Sequence, residues 1–227
     1  MITERLNDAA IALQKVLGEA GVRFGIFGGY AVSVLGGVRE SKDVDCIVAL
    51  SREQVIAALD KRAGFSLIPQ TRQDYVAFFW SEKANSTNPV LVEIFCEQFP
   101  GSKFNMSRLG LSEVAVNGQA FGQSYSTFAD PFSIFKGKLC AAATREKFHD
   151  SADLRTLLSR YPDQIKARIG EVNLNYVGLA IKRYSVLERT FQELGVDVER
   201  AKGLAKNINE EEPYPRGIGQ IQYALLG

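Results

Sequence analysis

Asp43 and Asp45 stand on either side of Val44 at the start of an apolar run, DVDCIVAL. In a strand, alternate side chains leave on the same face, so the two carboxylates aim at one spot and Val44 points away. Two hard oxygen anions side by side repel unless a cation lies between them, and such a pair suits Mg²⁺, with Mn²⁺ as a substitute. Fourteen positions before Asp43 a short apolar run, Phe24 to Phe27, ends in Gly28-Gly29. Glycines at such a turn let backbone N–H groups approach an anion closely. A third acid, Glu93, interrupts the otherwise apolar segment VLVEIFCE. A carboxylate buried unpaired there would cost several kcal/mol, and a metal or cationic partner would remove that penalty. Glu97 shares its parity but lies near the end of the segment, where solvent is expected to reach it. Three converging carboxylates would support phosphoryl-group chemistry with two bound Mg²⁺ ions, with the di-glycine turn beside a nucleotide's phosphates.

The elements that must position these residues follow from periodicity. Leu6, Ala9, Ala10, Leu13, Val16, Leu17 and Ala20 share a helical face, ended by Gly21. Phe24–Phe27 reads as a strand, residues 29–36 as a small-residue helix and Val44–Leu50 as a strand. Ser51 and Gln54 form a capping box for a helix reaching about Ala63. Phe65–Ile68, Tyr75–Trp80 and Val90–Glu97 read as strands, and VAVNGQAF (114–121) as a hairpin turning at Asn117-Gly118. Asp130-Pro131 opens a helix, with Pro at the first helical position. Helical patterns then continue, with breaks near Tyr161-Pro162, Gly170 and Gly195, and the segment 210–219 reads as an irregular tail. The expected fold class is α/β (α+β): a mixed-sheet domain over 1–128 and a helical C-terminal region over 129–227.

Composition narrows the function classes. The 227 residues are 46% hydrophobic and 23% charged, which is ordinary for a water-soluble globule. The formal net charge of +1 excludes a global basic field, so no strong general nucleic-acid binding is expected. No apolar stretch reaches spanning length and no secretory leader is read at the N-terminus, so the expectation is a cytoplasmic protein without a membrane partner. Three cysteines without metal-type spacing fit reduced thiols, with Cys46 and Cys96 in the core.

The order of these motifs resembles the polymerase β-like nucleotidyltransferase superfamily. Its signature is a GG or GS turn, a gap of this length, an Asp-x-Asp or Asp-x-Glu on a strand and a third acid on a later strand. Gly28, Gly29, Asp43, Asp45 and Glu93 fall on those positions, with Glu in place of the commoner third Asp. The stretch GGYAVSVLGGVRESKDVD, with Arg39 and Ser41 before the acids, is similar to single-chain antibiotic and abortive-infection toxin nucleotidyltransferases. The segment KLCAAATREKFHDSADL (138–154) resembles the family's basic helix. The resemblance covers residues 24–154. It implies a mixed-sheet fold, Mg-dependent transfer of a nucleoside monophosphate from an NTP to a hydroxyl, and pyrophosphate release. Asp43, Asp45 and Glu93 would be catalytic and metal-binding. Gly28, Gly29, Arg39, Ser41, Lys138 and Arg145 would bind nucleotide. For Lys138 and Arg145 the alternative is pairing with Asp150 or Asp153 to pin two helices. The acceptor is left open among a small molecule such as an aminoglycoside or lincosamide, a tRNA end and a protein side chain. The rival reading is a catalytically inactive nucleotide-binding regulatory or toxin–antitoxin-type interaction protein. His149, the only histidine, is expected at the surface, and Tyr176 and Tyr184 are candidates for an acceptor pocket.

Overall fold

The structure, a computed structural model, describes residues 2–83, 88–209 and 217–227. Seven strands form one mixed sheet in the order β3-β4-β5-β2-β1-β7-β6. They are β1 (Phe24–Phe27), β2 (Asp43–Ser51), β3 (Phe65–Ile68), β4 (Tyr75–Trp80), β5 (Val90–Gln98), β6 (Leu111–Gly118) and β7 (Gly122–Ala129). β2 pairs with β5, and β1 with β7, in parallel; the remaining neighbours are antiparallel. Val44, Cys46, Val48, Val92, Ile94 and Cys96, the residues that alternate with the acids, are all fully buried. Burying each large apolar side chain contributes about 1.5–3 kcal/mol, so these alternating residues hold the register of the central strands. The helices α1 (Ile2–Leu13) and α3 (Arg52–Leu59) pack against the sheet. The helix expected over 3–20 is α-helical only to Leu13 and continues as a π-helical turn over Gln14–Gly18. The capping box at α3 is formed, with Ser51 Oγ accepting from Gln54 N and Gln54 Oε1 from Ser51 N.

Two expectations are corrected within this sheet. The hairpin does not turn at Asn117-Gly118. Those residues continue β6, paired with Gln123 and Gly122, and the turn is the three-residue loop 119–121. The reason lies far away in sequence: the Asp8 carboxylate of α1 accepts from the N–H groups of Ala120 and Phe121 at 2.9 Å and so holds a longer loop. Glu97 is not left to solvent either, since its carboxylate accepts the backbone N–H of Met106.

The chain divides into two units, residues 1–130 with 218–227, and 131–217. The boundary near 130 lies close to the expected one, but the helical region does not run unbroken to 227. The last helix, α10 (Gln220–Leu226), belongs with the sheet. The expected tail falls mostly on 210–216, outside the described residues, and its end leads directly into α10. Gln222, fully buried, donates to the carbonyls of Asp74 and Cys96 at 2.9 Å, and Gly219 N–H donates to Asp74 Oδ2 at 2.9 Å. Asp74 also takes paired hydrogen bonds from Arg72 at 3.0 and 2.8 Å. Burial pushes the Asp74 carboxyl upward, but the Arg72 and Gly219 donors outweigh it and hold it below the usual carboxylate value.

The second unit is helical. It comprises α4 (Pro131–Thr144), α5 (Phe148–Arg160), α6 (Pro162–Ala167), α7 (Leu174–Arg183), α8 (Leu187–Glu193) and α9 (Val198–Ala205). The short α2 (Gly28–Val34) completes the helices and belongs to the first unit. Pro131 does stand at the first position of α4; Tyr161 separates α5 from α6, which Pro162 opens, Gly170 lies in a 3₁₀ turn over Ile169–Glu171, and Gly195 falls between α8 and α9. Between α4 and α5 runs a buried ionic cluster. Lys138 Nζ is 2.6 Å from Asp153 Oδ2 and 4.0 Å from Asp150 Oδ1, while Arg145 forks onto both Asp150 oxygens at 2.7 and 2.8 Å. Asp150 is wholly inaccessible and Lys138 only 4% exposed.

Two stability outcomes follow from these contacts. A carboxyl whose folded-state pKa is lowered adds stability above its unfolded value of about 3.9, and that increment is lost as pH falls through the folded-state value. Asp74→Asn should therefore flatten the acid limb of the stability curve below about pH 4, and Asp74→Ala should cost about 2 kcal/mol at pH 7 by leaving Gly219 N–H without its acceptor. Urea unfolding from pH 3 to 7 measures both. In the second unit, Lys138→Met leaves two buried carboxylates short of a cation and should cost about 3–5 kcal/mol. Arg145→Ala, whose side chain is 29% exposed, should cost less, about 1–2 kcal/mol, read by the same method.

Candidate active site

The register of β2 against β5 builds the site. Asp45 and Glu93 are Cα partners across the two parallel strands, and Asp43 is the partner of Leu91. Paired residues on neighbouring strands point to the same side, as do residues two apart on one strand. Asp43, Asp45 and Glu93 therefore share a face, opposite the buried Val44, Cys46 and Val92. All three acids are half-buried. Phe27 of β1, the antiparallel partner of Asp45, continues the same face and packs its ring 5.6 Å from that of Phe95.

Gly28 follows Phe27 with φ +77°, a left-handed conformation that disfavours any side chain. A Cβ at this position would collide with the Asp45 carboxylate. Glycine is thus required here to make room for the acid as well as by the backbone. A Cβ on Gly29 would stand 2.5 Å from an Arg39 guanidinium nitrogen and 2.9 Å from Ser41 Oγ. Ser41 in turn donates to Asp43 Oδ1 at 2.9 Å. Gly28, Gly29, Arg39, Ser41, Asp43 and Asp45 accordingly form one contiguous group, with Glu93 across the strand pair.

Sequence reading did not single out Tyr75 at this face, nor Arg72 and Asp74 behind it. Tyr75 of β4 donates its hydroxyl to Glu93 Oε1 at 2.6 Å. Its ring packs on Phe95, with centroids 5.2 Å apart, and lies 5.1 Å from the Arg72 guanidinium carbon. Arg72 is held by Asp74. Burial first, then the hydrogen bond and charge of Glu93, raise the Tyr75 phenol well above its ordinary value, so it stays protonated and remains a donor. The sequence carries no signal for this role, because Tyr75 stands opposite Phe95 in the register of β4 against β5 and reaches Glu93 only diagonally.

Lys138 and Arg145 lie in the second unit, each paired with carboxylates as described above, which favours the helix-pinning alternative for both. His149 flanks the same cluster, with Nε2 3.9 Å from Asp150 Oδ1. The Tyr184 hydroxyl accepts Lys147 N–H at 2.8 Å, and Tyr176 is buried within α7.

The donor chemistry of the three acids suits a hard divalent cation: oxygen only, on one face, from adjacent strands. Among the described residues, however, no three His, Cys, Asp or Glu side chains stand close enough to form a metal cage as they are placed. Their carboxylates instead take neutral donors, Ser41 for Asp43 and Tyr75 for Glu93. Like charges brought together without a counter-ion repel, and turning to hydroxyl donors relieves that repulsion. The face and the register fit a metal; its arrival would require the carboxylates to turn inward. No helix among the described residues is long and apolar enough to cross a membrane.

Comparison with protein-family models and with curated proteins gives no match. Solved structures do match. An antigenic nucleotidyltransferase-like protein from Paracoccidioides brasiliensis aligns with a TM-score of 0.53 at 15% identity, over 83% of this chain and 92% of that one. The nucleotidyltransferase toxin MenT4 from Mycobacterium tuberculosis H37Rv aligns at 0.48 and 12%, over 97% and 87%. ANT(2")-Ia, in complex with adenylyl-2"-tobramycin, aligns at 0.49 and 13%, over 71% and 93%. At these identities the likeness concerns the fold, and the first of the three carries it. The mixed sheet and its helices are thus similar in fold to that nucleotidyltransferase-like protein.

Proposed function

We propose that the chain transfers a nucleoside monophosphate from an NTP to a hydroxyl acceptor and releases pyrophosphate. The observation that carries this reading is the pairing of Asp45 with Glu93 across β2 and β5, beside a glycine whose missing side chain gives the Asp45 carboxylate its place. Asp43, Asp45 and Glu93 would hold Mg²⁺, or Mn²⁺ in its stead. Bound there, the metal would lower the pKa of the attacking hydroxyl and neutralise charge on the phosphates. Ser41 orients Asp43, and the Gly28-Gly29 turn would present backbone N–H groups to a phosphate. Arg39 adds positive charge beside Gly29. In the transfer the acceptor oxygen bonds to the α-phosphorus as the bond from that phosphorus to the β-phosphate bridging oxygen breaks. Glu93 takes the hydroxyl proton and pyrophosphate carries away the electron pair. The acceptor is a hydroxyl of a small molecule, a tRNA end or a protein side chain. The near-zero net charge favours the smaller acceptors over a large RNA. We further infer a cytoplasmic setting from the three reduced, buried cysteines.

One observation favours a second reading, that of a nucleotide-binding regulator or interaction protein without turnover: Glu93, the proposed base, already accepts a hydrogen bond from Tyr75. Nucleotide binding without pyrophosphate release, across a panel of acceptors, would select it.

The test of the primary reading is calorimetric. NTP should bind at least about tenfold more tightly with Mg²⁺ than with EDTA, a difference of about 1.4 kcal/mol. Asp45→Asn should abolish that difference and leave the melting temperature within a few degrees. Equal binding with and without metal in the wild-type chain would refute the site. Gly28→Ala probes the steric claim. It should displace Asp45 and remove the metal dependence, and it should also lower stability by about 1–3 kcal/mol, the scale of backbone strain at such a position. Gly29→Ala, at a residue without positive φ, should cost less stability in the same unfolding assay.

A further inference from the structure

The two edges of the sheet differ in what meets them. At the β3 edge, Ser81 N–H donates to Gly64 O at 3.0 Å, one step beyond the Phe65–Trp80 pair. Hydrogen-bonded and non-hydrogen-bonded pairs alternate along an antiparallel ladder. Ser66 and Ile68 therefore turn their main-chain groups to β4, and Phe65 and Leu67 turn theirs outward. The chain itself meets those outward groups. Phe65 N–H donates to Arg62 O at 2.9 Å, Phe65 O accepts Lys61 N–H at 3.0 Å, and Leu67 N–H donates to the Asp60 carboxylate at 3.1 Å.

The β6 edge is left open. Asp130 N–H donates to Gly110 O at 2.8 Å, one step beyond the Leu111–Ala129 pair. By the same alternation Ser112, Val114 and Val116 bond to β7, and Leu111, Glu113, Ala115 and Asn117 face outward. Asn7 of α1 donates to Asn117 O at 2.8 Å, as an outward carbonyl allows. No described residue meets the main chain of Glu113 or Ala115, and both residues are exposed. Edge strands of monomers are commonly blunted by Pro, by Lys or by a bulge. The eight residues of β6 contain none of these, and their register against β7 is unbroken. Glu113 is their only charged side chain.

We propose that β6 is a dimerisation edge, which pairs antiparallel with β6 of a second copy of this chain about a two-fold axis at Val114. Mutual hydrogen bonds form only where outward residues stand opposite each other. With the axis at Val114, Glu113 faces Ala115 of the copy and Leu111 faces Asn117 of the copy, so donors meet acceptors along the whole strand. An axis on Glu113 would set two carboxylates directly opposite, which is unfavourable. An axis on Ala115 would leave Leu111 without a partner in the strand. The edge fits a second copy because it is complementary to itself, in hydrogen bonds and in the absence of a like charge directly opposite its one acid. Association also closes at two, because the β3 edge of each sheet is already satisfied by its own chain. The proposal is independent of the chemistry assigned to Asp43, Asp45 and Glu93.

The experiment is sedimentation equilibrium of the full chain over about 1–100 μM, the range of weak specific dimers. The wild type should pass from monomer to dimer within it. Ala115→Pro deletes an outward N–H and sets a ring where the copy's strand would lie, yet it takes no hydrogen bond from the β6–β7 ladder. It should raise the dimer dissociation constant at least about tenfold. Ala115→Glu leaves the backbone alone and puts a carboxylate opposite Glu113 of the copy, so it should act in the same direction whether or not the proline variant folds. Hydrogen exchange locates the contact. The Glu113 and Ala115 amides should exchange more slowly as concentration rises. The Val114 and Val116 amides, bonded to β7, should be protected at every concentration. A wild-type chain that stays monomeric at about 100 μM overturns the proposal, and the edge would then serve an extended segment of another protein. A dimer that Ala115→Glu leaves intact overturns it too, as does a dimer in which the Glu113 and Ala115 amides exchange as fast as in the monomer.

Discussion

The parallel pairing of β2 with β5 is the constraint on which the site depends. Side chains on a strand alternate with a period of two, so a slip of one residue would turn Glu93 into the core and bring Val92 or Ile94 out. What prevents the slip is the apolar set on the other face. Val44, Cys46, Val48, Val92, Ile94 and Cys96 are all completely buried, and a shifted register would expose every one of those on the strand that moved. Each acid in the central strands thus has its direction set by hydrophobic neighbours of opposite parity. The cost of placing carboxylates in such strands is moderated because all three acids remain half-buried, and two of them have hydroxyl donors.

Around this pairing the structure arranges support from distant parts of the chain. Gly28 ends β1 with a backbone that accepts no side chain, and the space so left is filled by Asp45. Ser41 approaches Asp43 from the turn before β2. Tyr75 approaches Glu93 from β4, and its own orientation traces back through Arg72 and Asp74 to Gly219 and Gln222. Distant parts of the sheet unit therefore meet near its acids: residues 24–45 supply two of the acids and the glycine turn, and residues 219–222 brace the strand that supplies Tyr75. Asp8 does similar work at the β6–β7 hairpin, where one carboxylate satisfies two backbone donors of the loop.

The basic residues of the second unit illustrate how local spacing leaves a role undecided. Lys138 and Arg145, seven apart on α4 and just beyond it, have the spacing of a shared helical face. Spacing identifies the face, but it does not identify the anion that the face meets. In the structure the anions are Asp150 and Asp153, carried by the next helix at distances that leave Lys138 nearly inaccessible. Buried charges need partners, and a carboxylate a few residues along the chain is the partner with the smallest entropic cost of approach.

The sequence by itself determined what depends on local period and local chemistry. The parity of Asp43 and Asp45, the strand around Glu93, the capping box at Ser51 and Gln54, and the helix opened by Pro131 all rest on contacts within a few residues, and these are present in the structure. The expectation that Gly28-Gly29 would neighbour the two aspartates rests on the order of strand, glycine turn and strand, to which the resemblance in motif order adds. Tertiary structure decided the rest. It set which strands are neighbours, and therefore that Asp45 faces Glu93. It moved the hairpin turn from Asn117-Gly118 to 119–121, because Asp8 supplies acceptors that turn propensity does not count. It placed α10 with the sheet, because Gln222 finds the carbonyls of Asp74 and Cys96 more than a hundred residues earlier. And it gave Tyr75 a polar partner that no window of sequence around it contains. The division has one physical cause: backbone periodicity and capping are fixed by neighbours along the chain, whereas the partner of a buried polar group is whichever group the fold brings within hydrogen-bond reach.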